Sequence, residues 1–434
     1  MNRVCVIDIP GLSRDLLQFI PTSSRLGQWI AQQPIADLTP TWPAVTCSVQ
    51  ATLTTGTPPS AHGINANGIA TFRSEADRLL VDASNFARYR KNVSFWEQSN
   101  QFLQRRRFWQ NEDGTSKYKT ALLFFQNSMP GFSGDLRPAA DVVLTPKPDH
   151  GPDGKLVSLC WSQPAQLVPT LFSKFGPFPL MNYWGPMAGI ASSQWIAKAA
   201  AHVWMAEQPA LQFVYIPHLD YDLQRFGPDS PQARVAVVDL AEALDPMLKM
   251  LGIDPGRLII LSEYAIHPVH RSIQPNRLLR EAGLLVVENN EIDFAHSEAF
   301  VMADHQIGYL YSRDPAASQI LTDAGLEIVE GPHHQRAGEA ALQSPEGSWL
   351  DYRWWTDPGD APPYAAMVDI HRKPGYDPLE LFADPVTRRI ATDPALIRGS
   401  HGRIHESEGI AIGLGCDRME MTEIARVIEA AVVG

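Results

Sequence analysis

Residues 3–9 carry a short β-branched run, Val4-Cys5-Val6-Ile7, that ends on Asp8 and meets Pro10-Gly11. Apolar at successive rather than alternate positions, it predicts a strand buried on both faces that opens at its carboxyl end into a loop. A carboxylate there faces the edge where open α/β sheets bind ligands. Similar runs recur at Ala121–Phe125, Leu211–Ile216, Leu258–Leu261 and Leu284–Val287, separated by helical patterns such as Ser193–Ala206 and Pro231–Leu251. This alternation predicts an α/β fold with a mainly parallel sheet and helices on both faces. Thr422–Val433 reads as an amphipathic helix packing back on the sheet. The stretches from about 75 to 170 and from about 275 to 395 are rich in Trp, Pro and turn residues. They are expected as insertions that cap the active edge of one domain spanning 1–434.

Charge narrows the partners. Against 36 Lys and Arg stand 48 Asp and Glu, a net charge of −12 with no basic run able to neutralise several phosphates, so duplex nucleic acid is not an expected partner. Cys5, Cys47, Cys160 and Cys416 lie far apart with no CxxC pair, which suggests neither a disulfide framework nor a thiolate zinc site. Without a charged leader or a long apolar stretch, a cytoplasmic protein with no membrane segment is expected. The sequence leaves the oligomeric state open.

The most informative segment is Pro40-Thr41-Trp42-Pro43-Ala44-Val45-Thr46-Cys47-Ser48-Val49-Gln50-Ala51-Thr52-Leu53-Thr54-Thr55-Gly56, followed by Pro59, His62-Gly63-Ile64 and Asn67. It reads as a loop entering a short helix with Thr46 at or just before the N-terminus. Unpaired N–H groups and the positive end of the dipole favour an anionic phosphoryl group there. The plainer reading, and the better one on these residues alone, is that Thr46 or Ser48 caps the helix.

This segment resembles the nucleophile region of the nucleotide pyrophosphatase/phosphodiesterase family of the alkaline phosphatase superfamily. There, P-x-x-T precedes T-G-x-x-P and H-G-I-x-x-N, matched here by Pro43 to Thr46, Thr55-Gly56, Pro59, His62-Gly63-Ile64 and Asn67. The resemblance implies an alkaline-phosphatase-like fold and a metal-dependent hydrolase acting on a small phosphorylated substrate. Thr46 would be the nucleophile that becomes phosphorylated, and Asn67 a donor to a phosphate oxygen. It further implies one or two divalent metals. Asp8 matches the first ligand, Asp220 the Asp of a D-x-x-x-H pair, and His401 in Gly399-Ser400-His401-Gly402 the final His. Three positions depart from the pattern: Gln224 stands for the second residue of that pair, and Glu263 and Tyr264 stand for an Asp-His pair.

These changes harden the site. Zinc is implied by the family, but an oxygen-rich set with one imidazole suits manganese, magnesium or calcium unless neighbours replace the missing imidazoles. Candidates are Asp304 and His305, then His218, Asp222, His267 and His270, each more readily read as a surface or hydrogen-bonded side chain. In Asp369–Pro378, His371, Arg372 and Lys373 are expected either to clamp a substrate phosphate or to form a solvated turn with internal ion pairs. Phe95-Trp96 and Tyr183-Trp184 read as pocket wall or core. A phosphodiester or nucleotide pyrophosphate is the favoured substrate. A monoester or phosphonate hydrolase, or a degenerate binding protein, are the alternatives.

Overall fold

The computed structural model describes residues 1–71, 93–131, 136–150, 156–252, 257–404 and 409–434. In chain order the strands that organise it are β1 (Val4–Asp8), β2 (Ile35–Thr39), β3 (Thr120–Leu123), β4 (Val142–His150), β5 (Leu156–Gln163), β6 (Leu211–Tyr215), β7 (Leu258–Leu261), β8 (Ala299–Asp304), β9 (Ile307–Ser312), β10 (Glu327–Val329), β11 (Ala340–Gln343), β12 (Gly409–Ile412) and β13 (Arg418–Glu420). Nine of them form one sheet in the order β13-β2-β12-β7-β1-β6-β3-β4-β5. The centre is parallel, with β1 between β6 and β7 and β3 between β6 and β4; β12 and β5 run antiparallel to their neighbours.

Every residue of β1, β6 and β7 is buried, as expected for strands covered on both faces by helices. The covering helices are α1 (Thr46–Thr55), α2 (Ile190–Ala206), α3 (His218–Phe226), α4 (Pro231–Leu251) and α5 (Met421–Val433). Helix α4 packs against both α2 and α3, while α5 packs on α1 and on β1. A second core lies on a four-stranded antiparallel sheet, β8-β9-β11-β10, built entirely within the stretch from about 275 to 395.

Two expectations need correction. The stretch from about 75 to 170 does not lie wholly above the sheet: β3, β4 and β5 complete one side of the sheet itself, because Ala121, Leu122, Leu123, Val142, Val143 and Leu144 all belong to the main core. Leu284–Val287 is not a strand of that sheet either. Only Val287–Glu288 is extended, in a two-residue pairing with Glu291–Ile292, and the run is apolar because Leu285 fills the second core.

Glycine permits one approach on which the site depends. A Cβ on Gly399 would stand 2.2 Å from the carbonyl oxygen of Leu223, so only glycine lets the segment leading to His401 lie against α3. The adjacent Arg398 N–H then donates to the carbonyl of Gln224 at 2.9 Å.

Candidate active site

The carboxyl ends of the central strands converge with one end of α1. Asp8 closes β1, and Glu263 and Tyr264 follow β7 directly. Register across β1 and β7 is carried past their ends, since Ile9 N–H donates to the Leu261 carbonyl and Gly11 N–H to that of Tyr264. Asp220 and Gln224 are one turn apart on α3, both buried. His401 is reached through the Gly399 approach.

Helix α1 is buried along its whole length, an unusual setting for six hydroxyl and amide side chains. Three of them turn inward on the helix: the Thr52, Thr54 and Thr55 hydroxyls donate to the carbonyls of Ser48, Gln50 and Ala51. Thr46 is the first helical residue, and Val45 precedes it in extended conformation without a side-chain cap. The capping reading therefore does not hold for Thr46. Its hydroxyl lies 3.0 Å from that of Tyr264, and Ser48 donates to the Ile64 carbonyl.

Asn67 supplies the cap from outside. Its Oδ1 accepts from the Cys47 N–H at 2.9 Å, while its own N–H and Nδ2 donate to Asp304 at 2.7 and 3.2 Å. Asp304 in turn accepts from His305 Nδ1 at 2.7 Å. Both sit at the tight connection between β8 and β9, with His305 in the left-handed region at φ 59°, a conformation retained where surrounding contacts enforce it. This connection rests on His401: Gln306 N–H donates to its carbonyl at 3.0 Å, and the His305 and His401 ring centroids are 3.9 Å apart. Tyr264 stacks flat on the other imidazole neighbour, 3.5 Å from His401 at an interplanar angle of 8°.

Electrostatically the site is a buried acidic cluster. Burial raises the Asp8 carboxyl, and it raises Glu263 well above the usual range, with the charge of Asp8 adding to the effect. Burial also pushes Asp220 up to about 7, opposed by hydrogen bonding from Gln224 and Tyr264, and Asp304 up to about 6, opposed by Asn67. Burial holds His305 and His401 well below the ordinary imidazole range.

Several buried atoms of this cluster have no hydrogen-bond partner among the described residues: Asp8 Oδ1, both carboxyl oxygens of Glu263, Asp220 Oδ1 and His401 Nε2. His401 Nδ1 is paired with the Ala44 carbonyl at 2.8 Å, which makes Nε2 the lone-pair nitrogen. Unpaired buried carboxylates are costly unless a cation or a proton meets them.

A family model described as type I phosphodiesterase / nucleotide pyrophosphatase matches residues 4–377. The chain belongs to that family. It is accordingly a hydrolase of phosphorus ester bonds, from a family that uses divalent metals. Among solved structures, the fold is similar to murine ectonucleotide pyrophosphatase/phosphodiesterase 5, inactive and in complex with AMP, with 13% identity, TM-score 0.59, and coverage of 100% of this chain and 95% of the other. It is equally similar to phosphonoacetate hydrolase from Sinorhizobium meliloti in complex with phosphonoacetate, with 13% identity, TM-score 0.60 and coverage of 99% and 96%. No curated protein sequence matches the chain.

In this phosphodiesterase-family chain the donors around Asp8 fit a hard divalent cation. Two carboxylates with free oxygens stand beside a threonine hydroxyl, and such ions are commonly held by one or two carboxylates with water and substrate phosphate completing the shell. Among the described residues, however, no three His, Cys, Asp or Glu side chains gather around one point to hold a metal. Asp304 and His305 do not repair that shortage, because Asp304 is committed to Asn67 and His305.

Other expected site residues go elsewhere. Lys373 is buried between Asp377 and Glu380 at 2.7 and 2.6 Å, so it is an internal ion triad and not a phosphate clamp. Arg372 pairs with Asp369 and lies 5.7 Å from the Tyr364 ring, and His371 Nδ1 meets the Phe95 carbonyl. Asp222 pairs with Arg225. His218 is buried on α3, while His267 pairs with Ser400 in a short antiparallel ladder and His270 lies just beyond it.

Sequence reasoning missed two residues. Gln50 donates to Asp8 at 3.3 Å and accepts from the Gln126 N–H at 2.8 Å; lying four residues after Thr46, it shares that helical face, which was the available signal. Tyr376 donates to Gln224 Oε1 at 2.8 Å and stacks on His305 at 3.6 Å. It lies within the charged Asp369–Pro378 segment, where the aromatic residue and not the cations reaches the site. Trp96 and Trp184 pack around it.

Proposed function

We propose that this protein is a metal-dependent phosphodiesterase or nucleotide pyrophosphatase in which Thr46 attacks phosphorus. The observation that carries the reading is the Thr46 hydroxyl: first residue of a buried helix, 3.0 Å from Tyr264 and beside the Asp8–Glu263 pair. Asp8, Glu263 and Thr46 would hold a divalent cation, manganese, magnesium or calcium by the oxygen chemistry of the donors. Such an ion supplies positive charge that favours the threonine alkoxide and neutralises the phosphoryl oxygens.

The Thr46 proton passes to water as its oxygen attacks, because Glu263, raised well above the usual carboxylate range and facing the proposed cation, is not free to take it. A bond forms from Oγ1 to phosphorus, the ester bond to the leaving group breaks, and water then hydrolyses the phosphothreonine and restores the hydroxyl. The N-terminal N–H groups of α1 and the second Nδ2 proton of Asn67 face the developing charge. Asp304 is a positioning residue for Asn67. The four cysteines form no disulfide among the described residues, which accords with a reducing compartment, and we place the protein in the cytoplasm.

The test is hydrolysis of bis-(4-nitrophenyl) phosphate by chelator-treated protein before and after Mn²⁺ or Mg²⁺ is restored, with Thr46→Ala beside it. Metal-dependent turnover lost in the variant is expected. Turnover surviving in Thr46→Ala would overturn the nucleophile. Hydrolysis confined to an aryl phosphate monoester or a phosphonate would move the substrate class, and no turnover on any of them would favour a binding protein.

A further inference from the structure

We infer that this site holds one divalent cation, not two, and that the Tyr264 hydroxyl stands where a second would sit. The unpaired donors fall into two groups. Asp8 and Glu263, beside Thr46, form the first; Asp220 Oδ1 and His401 Nε2 form the second.

The second group is closed to an ion by what surrounds it. Tyr264 stacks on the His401 ring, and its hydroxyl reaches both the Thr46 hydroxyl, at 3.0 Å, and the Asp220 carboxyl. An ion held by Asp220 and His401 while neutralising a phosphoryl group on Thr46 must lie between those three side chains, and the phenol is already there. Gln224 offers no relief. Its carbonyl oxygen, the amide atom able to ligate a metal, accepts from Tyr376. That leaves one carboxylate oxygen and one imidazole nitrogen around a point the phenol already fills. The first group has no such obstruction: Gln50 donates weakly to Asp8 Oδ2, while Asp8 Oδ1 and both Glu263 oxygens face it unpaired.

The inference rests on the reading that Asp8 and Glu263 hold a cation, but its outcome is separable from the nucleophile's. Protein stripped with chelator is titrated with Mn²⁺ by equilibrium dialysis, and the bound ion is examined by electron paramagnetic resonance. One Mn²⁺ per chain with an isolated-ion spectrum is expected, lost in Asp8→Asn and retained in Asp220→Asn. The double variant Gln224→His with Tyr264→His is expected to bind a second ion and to show exchange coupling between the two. Two ions in the unaltered chain, none, or one that Asp220→Asn abolishes and Asp8→Asn does not, would each overturn the inference. A double variant that folds and still holds one ion would overturn the role given to Tyr264; if it does not fold, the counts on the other three proteins decide. One Mn²⁺ at Asp8 without any Thr46-dependent turnover would sink the proposed reaction and leave this conclusion standing.

Discussion

The Tyr264 hydroxyl lies 3.0 Å from the hydroxyl of Thr46, and the two residues are 218 positions apart in the chain. A phenol thus meets the proposed nucleophile where the family pattern has an imidazole. Tyr264→Phe keeps the ring stacked on His401 and removes the hydroxyl's contacts with Thr46 and Asp220. We expect kcat to fall about 10- to 100-fold with little change in KM, as for loss of one hydrogen bond at a reacting group. Steady-state kinetics with a phosphodiester would show it, and an unchanged kcat would make the contact structural.

Thr46→Ser retains a hydroxyl at the first position of α1, whereas Thr46→Ala does not. Turnover is expected to drop about a thousandfold or more in the alanine variant and to survive in part in the serine one. Intact-protein mass after rapid quenching should show an added phosphoryl group on the unaltered chain and on the serine variant only.

Much of this architecture was legible beforehand. The buried run ending at Asp8, the helix after Val45 and the helices over Pro231–Leu251 and Thr422–Val433 follow from periodicity and turn chemistry, which act locally. What the sequence could not disclose is which side chains neutralise one another across the fold. Lys373 reads as a phosphate clamp until Asp377 and Glu380 are seen closing on it, and Asp304 reads as a metal ligand until Asn67 is seen holding it. Tyr376 carries no charge to mark it in the sequence, although it is the residue of its segment that touches the site.

Removing the Lys373 charge should therefore affect folding and not substrate binding. Lys373→Met leaves Asp377 and Glu380 buried without a counter-charge, at a cost of about 3–5 kcal/mol. Urea unfolding measures the loss. An unchanged stability together with a large rise in KM would restore the clamp.

The acidic cluster predicts how stability follows pH in chelator-treated protein. Burial lifts the Asp220 carboxyl to about 7 and that of Asp304 to about 6, above the usual carboxylate value. A raised folded-state pKa means the folded protein binds the proton more tightly than the unfolded chain does. Its contribution is complete at about pH 4 and is lost as pH rises through 6 to 7. The melting temperature should fall over that interval, and Mn²⁺ should restore more of it at pH 8 than at pH 5, because Asp8, proposed to hold the cation and raised to about 7 by the same burial, carries at pH 5 a proton that the ion must displace. Thermal scans across pH with and without Mn²⁺ provide the check.

Asp304→Asn should act at a distance of one residue from the chemistry. The amide cannot accept from the Asn67 N–H, the Asn67 Nδ2 and His305 Nδ1 as the carboxylate does, so the cap on Cys47 loosens. A fall in kcat of about tenfold is expected, with the Thr46-dependent mass shift still present.

The contacts that define the site join Ala44 to His401, Asn67 to Asp304 and Thr46 to Tyr264, spans of 357, 237 and 218 residues. Such non-local closures must meet a loop-closure entropy cost before their contacts repay it. A partly folded or truncated chain therefore has no rudimentary version of this centre. The proposed hydrolytic centre is complete only where the second sheet is docked onto His401.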